Sequence, residues 1–413
     1  MFSPPSYSTP GEHWMKQNYA DSQDDEKITL LSIPGLSIKM DKTEDFVQLK
    51  ATGGLRKACA PFLNRINERL REEKPALIKD DEVIASTWLP PIPSKAFKRL
   101  LMAETQIALG RYVPETVSFE ITRNCKCNCE HCVVSGGEGD LDIETMKRAI
   151  DDVLDMGAMV IVFTEGDPML REDIYELIDY VDKERAIVNM YTPGTEMTPG
   201  NAQRLKEAGL HNLLVSIYST EAEKHDAVRC LDGAFEMATN AMKMALDAGL
   251  LVTMATHVSP KNIDELPAMY ELARDIGVHE FSLWESVPKK KGDAIITEAD
   301  RQQVLEMYHR INSTKGGPRI FSNSYFEGEM LGCMAGQRWL HVCVDGSVKP
   351  CPYIPFSYGN ITEQSMKDIW SKIRKDRSFR GQRKTCLMQE SEYLQLVDSI
   401  PEGASKPYDI DLI

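Results

Sequence analysis

The chain has 413 residues, 42 % of them apolar and 27 % charged, with a formal net charge of −15. That length suits one large catalytic unit with smaller appended parts, and the acidic balance argues against the broad basic face that nucleic acid requires. No apolar run approaches the roughly 20 residues that span a bilayer, and MFSPPSYSTPGEHW lacks the basic start and apolar stretch of a secretory signal, so a cytoplasmic protein without a transmembrane segment is expected.

In chain order, residues 1–27 are polar, rich in Pro and Ser and punctuated by DSQDDE, and read as a flexible lead-in. Residues 28–114 form an N-terminal accessory region. It holds short strand-like pieces, ITLLSI and LSIKM, and then two amphipathic helical runs, FLNRINERLREE and AFKRLLMAETQIAL. Between those runs WLPPIPS (88–94) is too proline-rich for helix or inner strand and reads as a linker or a surface wrap.

From 115 to 314 apolar strand-like runs alternate with amphipathic helices. The strands are 117–122, 159–164, 186–192, 213–219, 251–258 and 280–286, and several intervening helices end in Gly, as a left-handed cap requires. Six β/α units predict an α/β fold, a parallel sheet curled into a partial (β/α)6 TIM-like barrel with its reacting groups at the carboxyl ends of the strands. Residues 315–393 lose that rhythm, gain Cys, Gly, Pro and aromatics, and read as a small cysteine-rich domain; 394–413 is a tail with little core potential.

Ten cysteines stand at 59, 125, 127, 129, 132, 230, 333, 343, 351 and 386. In a reducing compartment clustered cysteines point to metal rather than to disulfides. The segment ITRNCKCNCEHC directly follows the first barrel strand, and Cys125, Cys129 and Cys132 have the spacing C-x3-C-x2-C. Three thiolates hold three irons of a cubane and leave the fourth open to a chelating ligand, unlike the four-cysteine sets of electron carriers. A zinc site, a complete four-cysteine cluster using Cys127, and an incidental cysteine-rich loop are the competing readings. Cys127 falls between the spaced three and is read as a non-ligand, and Cys59 and Cys230 as small apolar residues.

This spacing, with His131 before the last cysteine, resembles the radical S-adenosylmethionine (SAM) superfamily. The resemblance implies a [4Fe–4S] cluster that cleaves SAM reductively to a 5′-deoxyadenosyl radical, which then abstracts hydrogen from a substrate. It implies further site residues. VFTEGDPML stands where the family usually has Gly-Gly-Glu-Pro, here Glu165, Gly166, Asp167 and Pro168, with Asp167 as the acid that meets the methionine ammonium. Thr192 in YTPGT shapes the adenosine pocket. Ser216 ends the fourth strand, and in HDAVRC Arg229 pairs with the methionine carboxylate, while His225 and Asp226 cap and orient the helix start. Asn262 touches the sugar or caps a helix, Trp284 is core or cavity wall, and the lysines of ESVPKKKG form a solvated turn.

The segment from Cys333 to Cys351 places Gly346 and Cys351 at the spacing of the auxiliary-cluster domain of such enzymes, in its SPASM or shortened twitch form. Asp345-Gly346 makes a hairpin turn. One auxiliary [4Fe–4S] cluster is expected on Cys333, Cys351 and Cys386. Cys343 is the fourth candidate, unless strand alternation turns it away and leaves an iron open. The resemblance thus implies a radical SAM enzyme performing an oxidative modification of an unidentified substrate: a peptide or protein, or a precursor of a cofactor, sugar or lipid. Its partners are SAM and an electron donor such as ferredoxin or flavodoxin. The rival class is a non-catalytic iron–sulfur or zinc sensor or scaffold on a degenerate barrel.

Overall fold

The computed structural model of the chain describes residues 27–42, 47–79, 82–129, 131–132, 139–400 and 406–412; apart from Lys27, the lead-in lies outside them. Strands β1 (Lys27–Ile33), β2 (Leu36–Lys42) and β3 (Val47–Thr52) form an antiparallel sheet in that order. The first two are the expected strands. β3 adds to them, and its alternation of Val, Leu and Ala with Gln, Lys and Thr is the pattern of a half-buried strand. Helix α1 (Arg56–Glu72) covers the β3 edge: the Asn67 side chain accepts from Leu49 N (2.7 Å) and donates to Leu49 O (2.9 Å). The short pair β4 (Leu77–Lys79) and β5 (Glu82–Ile84) and helix α2 (Lys95–Ala108) complete the region. α2 starts as its sequence demands, with Ser94 Oγ accepting from Phe97 N.

The main sheet runs β12-β11-β10-β9-β8-β7-β6-β13-β14. Its strands β6 (Thr116–Glu120), β7 (Val160–Thr164), β8 (Ile187–Thr192), β9 (Asn212–Ser216), β10 (Leu251–Val258), β11 (Glu280–Glu285) and β12 (Arg319–Ser322) are parallel throughout. Nearly every residue on them is buried, as befits strands with side chains packed on both faces. Helices α3 (Ile143–Met156), α4 (Ile174–Tyr180), α5 (Pro199–Glu207), α6 (Ala222–Arg229), α7 (Ala234–Asp247), α8 (Leu266–Ile276) and α9 (Glu298–Asn312) lie between consecutive strands. The six expected units are β6 to β11.

Two strands exceed that expectation. β12 follows Gly316-Gly317-Pro318 and is only four residues long, too short to announce itself by pattern. β13 (Trp339–Val342) belongs to the cysteine-rich segment yet pairs in parallel with β6, and β14 (Val348–Lys349) folds back on it. The sheet is therefore continuous across residue 315. Helix α10 (Met366–Lys375) packs against α3. The tail after 393 is tied back: α11 (Ser391–Asp398) buries Leu394, and β16 (Tyr408–Asp409) pairs with β15 (Phe356–Ser357). Among the described residues no helix is long and apolar enough to cross a membrane.

WLPPIPS does not lie on a surface. Trp88 and Ile92 are buried, and just before them Ser86 and Thr87 are fully buried, with Thr87 Oγ1 donating to Glu280 Oε1 (2.6 Å) and Asn189 Nδ2 donating to Thr87 O (3.3 Å). Trp88 stacks among Trp284, Phe321 and Tyr191, with ring centroids 5.3, 5.6 and 6.3 Å away. The prolines stiffen a segment that plugs the interior of the open barrel. Trp88→Ala should therefore destabilise the fold by about 3–5 kcal/mol, as for a large aromatic removed from a core, read as a lowered denaturant midpoint.

Candidate functional site

The cysteine loop leaves the carboxyl end of β6. Thr122 Oγ1 donates to Asp140 Oδ2 (2.7 Å), and Asn124 N donates to Thr122 Oγ1 (3.1 Å). The turn after β7 packs directly against this loop. Gly166 has φ +64°, and a Cβ there would stand 2.1 Å from Thr122 O and 2.9 Å from Asn124 O; Asp167 N donates to Asn124 O (2.8 Å). The loop is tied elsewhere as well: Asn128 N donates to Arg229 O (2.9 Å), Lys289 Nζ donates to Cys132 O (2.7 Å), and Lys126 pairs with Glu196. One lysine of the expected solvated turn thus grips the cysteine loop.

The loop borders a cavity of about 350 Å³ lined by Cys125, Cys129, Cys132, His131, Glu165, Gly166, Thr192, Ser216 and Arg229. Nine of the ten residues expected at the SAM site therefore meet here. Cys127 lines it too, and its thiol hydrogen-bonds to both Cys125 and Cys129. That contact is the main reason their thiols are lowered to about 7 and about 6, with the Arg229 guanidinium adding to it. Arg229 is buried, with Nη1 3.6 Å from Cys129 Sγ, Nη2 donating to Ser216 O (3.2 Å) and the guanidinium 4.8 Å from the Tyr218 ring. Its Nε is buried without a partner. Half-buried His131 is pushed down to about 3, chiefly by desolvation and then by His257, so the ring is neutral; its Nε2 lies 2.9 Å from Tyr218 Oη.

The tenth residue, Asp167, stands behind the wall, fully buried. Its carboxylate accepts from Thr192 Oγ1 (2.9 Å), Thr195 Oγ1 (2.9 Å) and Met169 N (3.1 Å). The side chain that reaches the cavity is Glu165. Its φ is +56°, its Oε2 is buried without a hydrogen-bond partner, and burial followed by the neighbouring Glu120 pushes it up to about 8. His341 Nε2 lies 3.8 Å away, but burial keeps that imidazole neutral. Asp226 orients the chain as expected, accepting from Gly233 N and Phe235 N. Asn262 bridges loops by donating to His257 O and Tyr218 O. Trp284, read as core or cavity wall, lines the cavity, whereas the aromatic walls Trp88, Tyr191, Tyr218, Trp339 and Tyr353 escaped the sequence reading because they come from distant strands and loops with no local signal that they share a cavity.

Cys333, Cys351 and Cys386 line a second cavity. The two cavities share Trp339, Pro352 and Tyr353 as a common wall. Burial pushes Cys333 up to about 12, Cys351 up to about 11 and Cys386 well up. Backbone N–H groups nonetheless point at every sulfur: Ala335 and Leu387 at Cys333, Tyr353 and Ile354 at Cys351, Met388 at Cys386. Cys343 lies elsewhere. It is fully buried, and its sulfur falls within 4.8 Å of ligand atoms of Glu120 and His341. The hairpin expected around Gly346 forms, with Cys343 N donating to Ser347 O (2.8 Å).

A barrel that presents a three-thiol loop to a cofactor-sized cavity, with a second thiol set one wall away, has the layout of an iron–sulfur radical enzyme. The chain belongs to the radical SAM superfamily, whose profile matches residues 119–273, and carries an iron–sulfur cluster-binding SPASM domain at residues 333–390. It is therefore an enzyme that uses a [4Fe–4S] cluster and SAM, and its SPASM domain implies auxiliary iron–sulfur clusters. The chain is 29 % identical over 296 residues to an AdoMet-dependent heme synthase of Methanosarcina barkeri, covering 65 % of this chain and 85 % of that one. It is 28 % identical over 270 residues to the subtilosin biosynthesis protein AlbA of Bacillus subtilis, covering 63 % and 60 %. The fold resembles Streptococcus suis SuiB bound to its precursor peptide SuiA, with a TM-score of 0.56 at 11 % identity over 92 % of this chain and 93 % of that one.

Both donor sets suit iron–sulfur groups: thiols in threes, with guanidinium or amide N–H donors turned on the sulfurs. Neighbouring substitutions in the β7 turn should act in opposite directions. Glu165→Gly removes a left-handed glutamate and a buried orphan oxygen and should stabilise the unloaded protein by about 1 kcal/mol. Gly166→Ala should destabilise it by more than that and lower the iron bound after reconstitution. Thermal melts and iron assays read both.

Proposed function

We propose that Cys125, Cys129 and Cys132 hold the SAM-cleaving cluster, that Cys333, Cys351 and Cys386 hold an auxiliary cluster, and that the substrate is a peptide. The cofactors supply reductive cleavage of the SAM sulfonium to a carbon radical that takes hydrogen from the substrate. The chain supplies grip and exclusion. Arg229 keeps charge balance beside Cys129 and offers its unused Nε to the methionine carboxylate. Glu165 offers its unused oxygen to a cationic group in the cavity. Asp167 acts through Thr192 and Thr195, fixing the turn rather than touching a ligand. Neutral His131, Tyr218 and His257 form an aromatic wall that keeps bulk water from a reactive radical.

The observation that carries the peptide reading is the N-terminal sheet. Asn67 occupies the β3 edge, whereas among the described residues no strand pairs with the outer edge of β1, which offers an extended peptide a place to add as a further strand. The likeness to the SuiB–SuiA complex, spanning more than the barrel and the cysteine-rich domain, and the similarity to AlbA support it. The similarity to heme synthases favours a second reading, modification of a tetrapyrrole. A reduced ferredoxin or flavodoxin is the electron donor in either case, and an auxiliary cluster one wall from the cavity suits withdrawal of the second electron of an oxidation.

Reconstituted, dithionite-reduced protein should convert SAM to 5′-deoxyadenosine and methionine, and replacement of Cys125, Cys129 and Cys132 by alanine should abolish this. A SAM-dependent loss of hydrogens from a peptide encoded beside the gene, seen by mass spectrometry, supports the peptide reading. Turnover of iron-coproporphyrin III with no change in any such peptide would favour the tetrapyrrole.

A further inference from the structure

We propose that the carboxylate of Glu327 is the fourth protein ligand of the auxiliary cluster. This rests on the reading that Cys333, Cys351 and Cys386 hold that cluster. Three thiolates leave one iron of a cubane without a protein donor, and Cys343, the cysteine that would complete the set, sits with His341 and Glu120 outside the cavity. Glu327 lines the cavity with the three cysteines, and its negative charge bears on all three sulfurs.

The other carboxylate of that lining is already committed. Glu285 accepts from Arg301 Nε (2.8 Å) and Nη2 (2.7 Å), from Ser324 Oγ (2.5 Å) and from Gln389 Nε2 (3.3 Å). Glu327 makes no ion pair among the described residues; the Met334 backbone N–H is the donor that faces it, and burial raises its carboxyl to about 7. Half-buried at the cavity wall and in no ion pair among the described residues, that carboxylate is available to a metal.

The local fold holds it in place. Glu327 sits midway along a π-helical stretch, Ser324–Met330, a wide turn found frequently at functional positions. Gly332, with φ +80°, then lets the chain pass where a Cβ would come 2.8 Å from Gln382 Cγ and 3.0 Å from Arg383 O, and Cys333 N donates to Arg383 O (2.8 Å). The stretch bearing Glu327 and Cys333 is thereby clamped to the stretch bearing Cys386. A cluster closed by Glu327 has no iron free for substrate, so its role is electron transfer. A hard oxygen ligand in place of a thiolate donates less charge to iron, which raises the reduction potential in the same sense as histidine ligation does in Rieske centres.

The test uses the full chain with Cys125→Ala, Cys129→Ala and Cys132→Ala, so that only the auxiliary cluster is read, reconstituted anaerobically with iron and sulfide. Glu327→Gln should change the electron paramagnetic resonance (EPR) spectrum of the reduced cluster and make it sensitive to added imidazole, which leaves the parent unaffected. Glu327→Cys should keep the cluster and move its potential to a more negative value, and this arm stands even if the glutamine variant loads poorly. A spectrum, potential and imidazole response unchanged in both variants overturn the ligand assignment alone. A parent that binds no cluster overturns the reading of the three cysteines, and the proposal with it.

Discussion

The site depends first on the approach of two backbones at Gly166. Thr122 O occupies the space a side chain would need, so the turn after β7 and the cysteine loop after β6 lie in direct contact. Parallel neighbours in a sheet deliver their carboxyl ends side by side, but they do not by themselves interlock the loops that follow. Here the missing Cβ lets Asp167 N reach Asn124 O, and Asp167 in turn gathers Thr192 at the end of β8 and Thr195 just after it. Three consecutive strand ends are thereby fixed to one another. The thiols, the cavity floor and Glu165 inherit their positions from that contact.

The two cysteine sets solve the same charge problem differently. The first is half-buried to exposed, and the Cys127 thiol hydrogen bonds, with the Arg229 guanidinium adding to them, favour thiolate at Cys125 and Cys129 even before metal binds. That suits the role proposed for this set, which requires SAM to enter. The second is enclosed, and burial disfavours thiolate there; compensation comes from five backbone N–H groups, whose partial charges need no counter-ion. The pair meet at Trp339, Pro352 and Tyr353, two of which directly follow Cys351 in sequence. A cysteine of the second set and the wall of the first cavity are thus one short piece of chain. The same economy appears in Trp88, whose ring both fills the barrel and borders the cavity.

Much of this was legible in the order of residues. Strand and helix periods are local, so the six β/α units, the two N-terminal helices and the Asp345-Gly346 hairpin follow from patterns a few residues long. The cysteine spacings are local too, because ligands on one loop must reach one metal group. Orientation was not legible. Asp167 and Glu165 are two residues apart, and which one faces the cavity was settled by the left-handed backbone of the turn. Cys343 faces Glu120 and His341 because β13 joins the barrel sheet beside β6, a pairing between residues more than 200 positions apart.

Sequence alone determined that this chain is a barrel bearing two cysteine sets, the first spaced for a SAM-cleaving cluster, since both facts rest on short repeats and fixed spacings. Tertiary structure decided where each set meets its surroundings. It turned the proline-rich linker inward as a plug, carried the sheet through β12 and β13, set Asp167 behind the cavity wall that Glu165 lines, and brought Glu327 into the lining of the second cavity. Each of these depends on contacts between distant segments, which burial and close packing select and which no local pattern encodes.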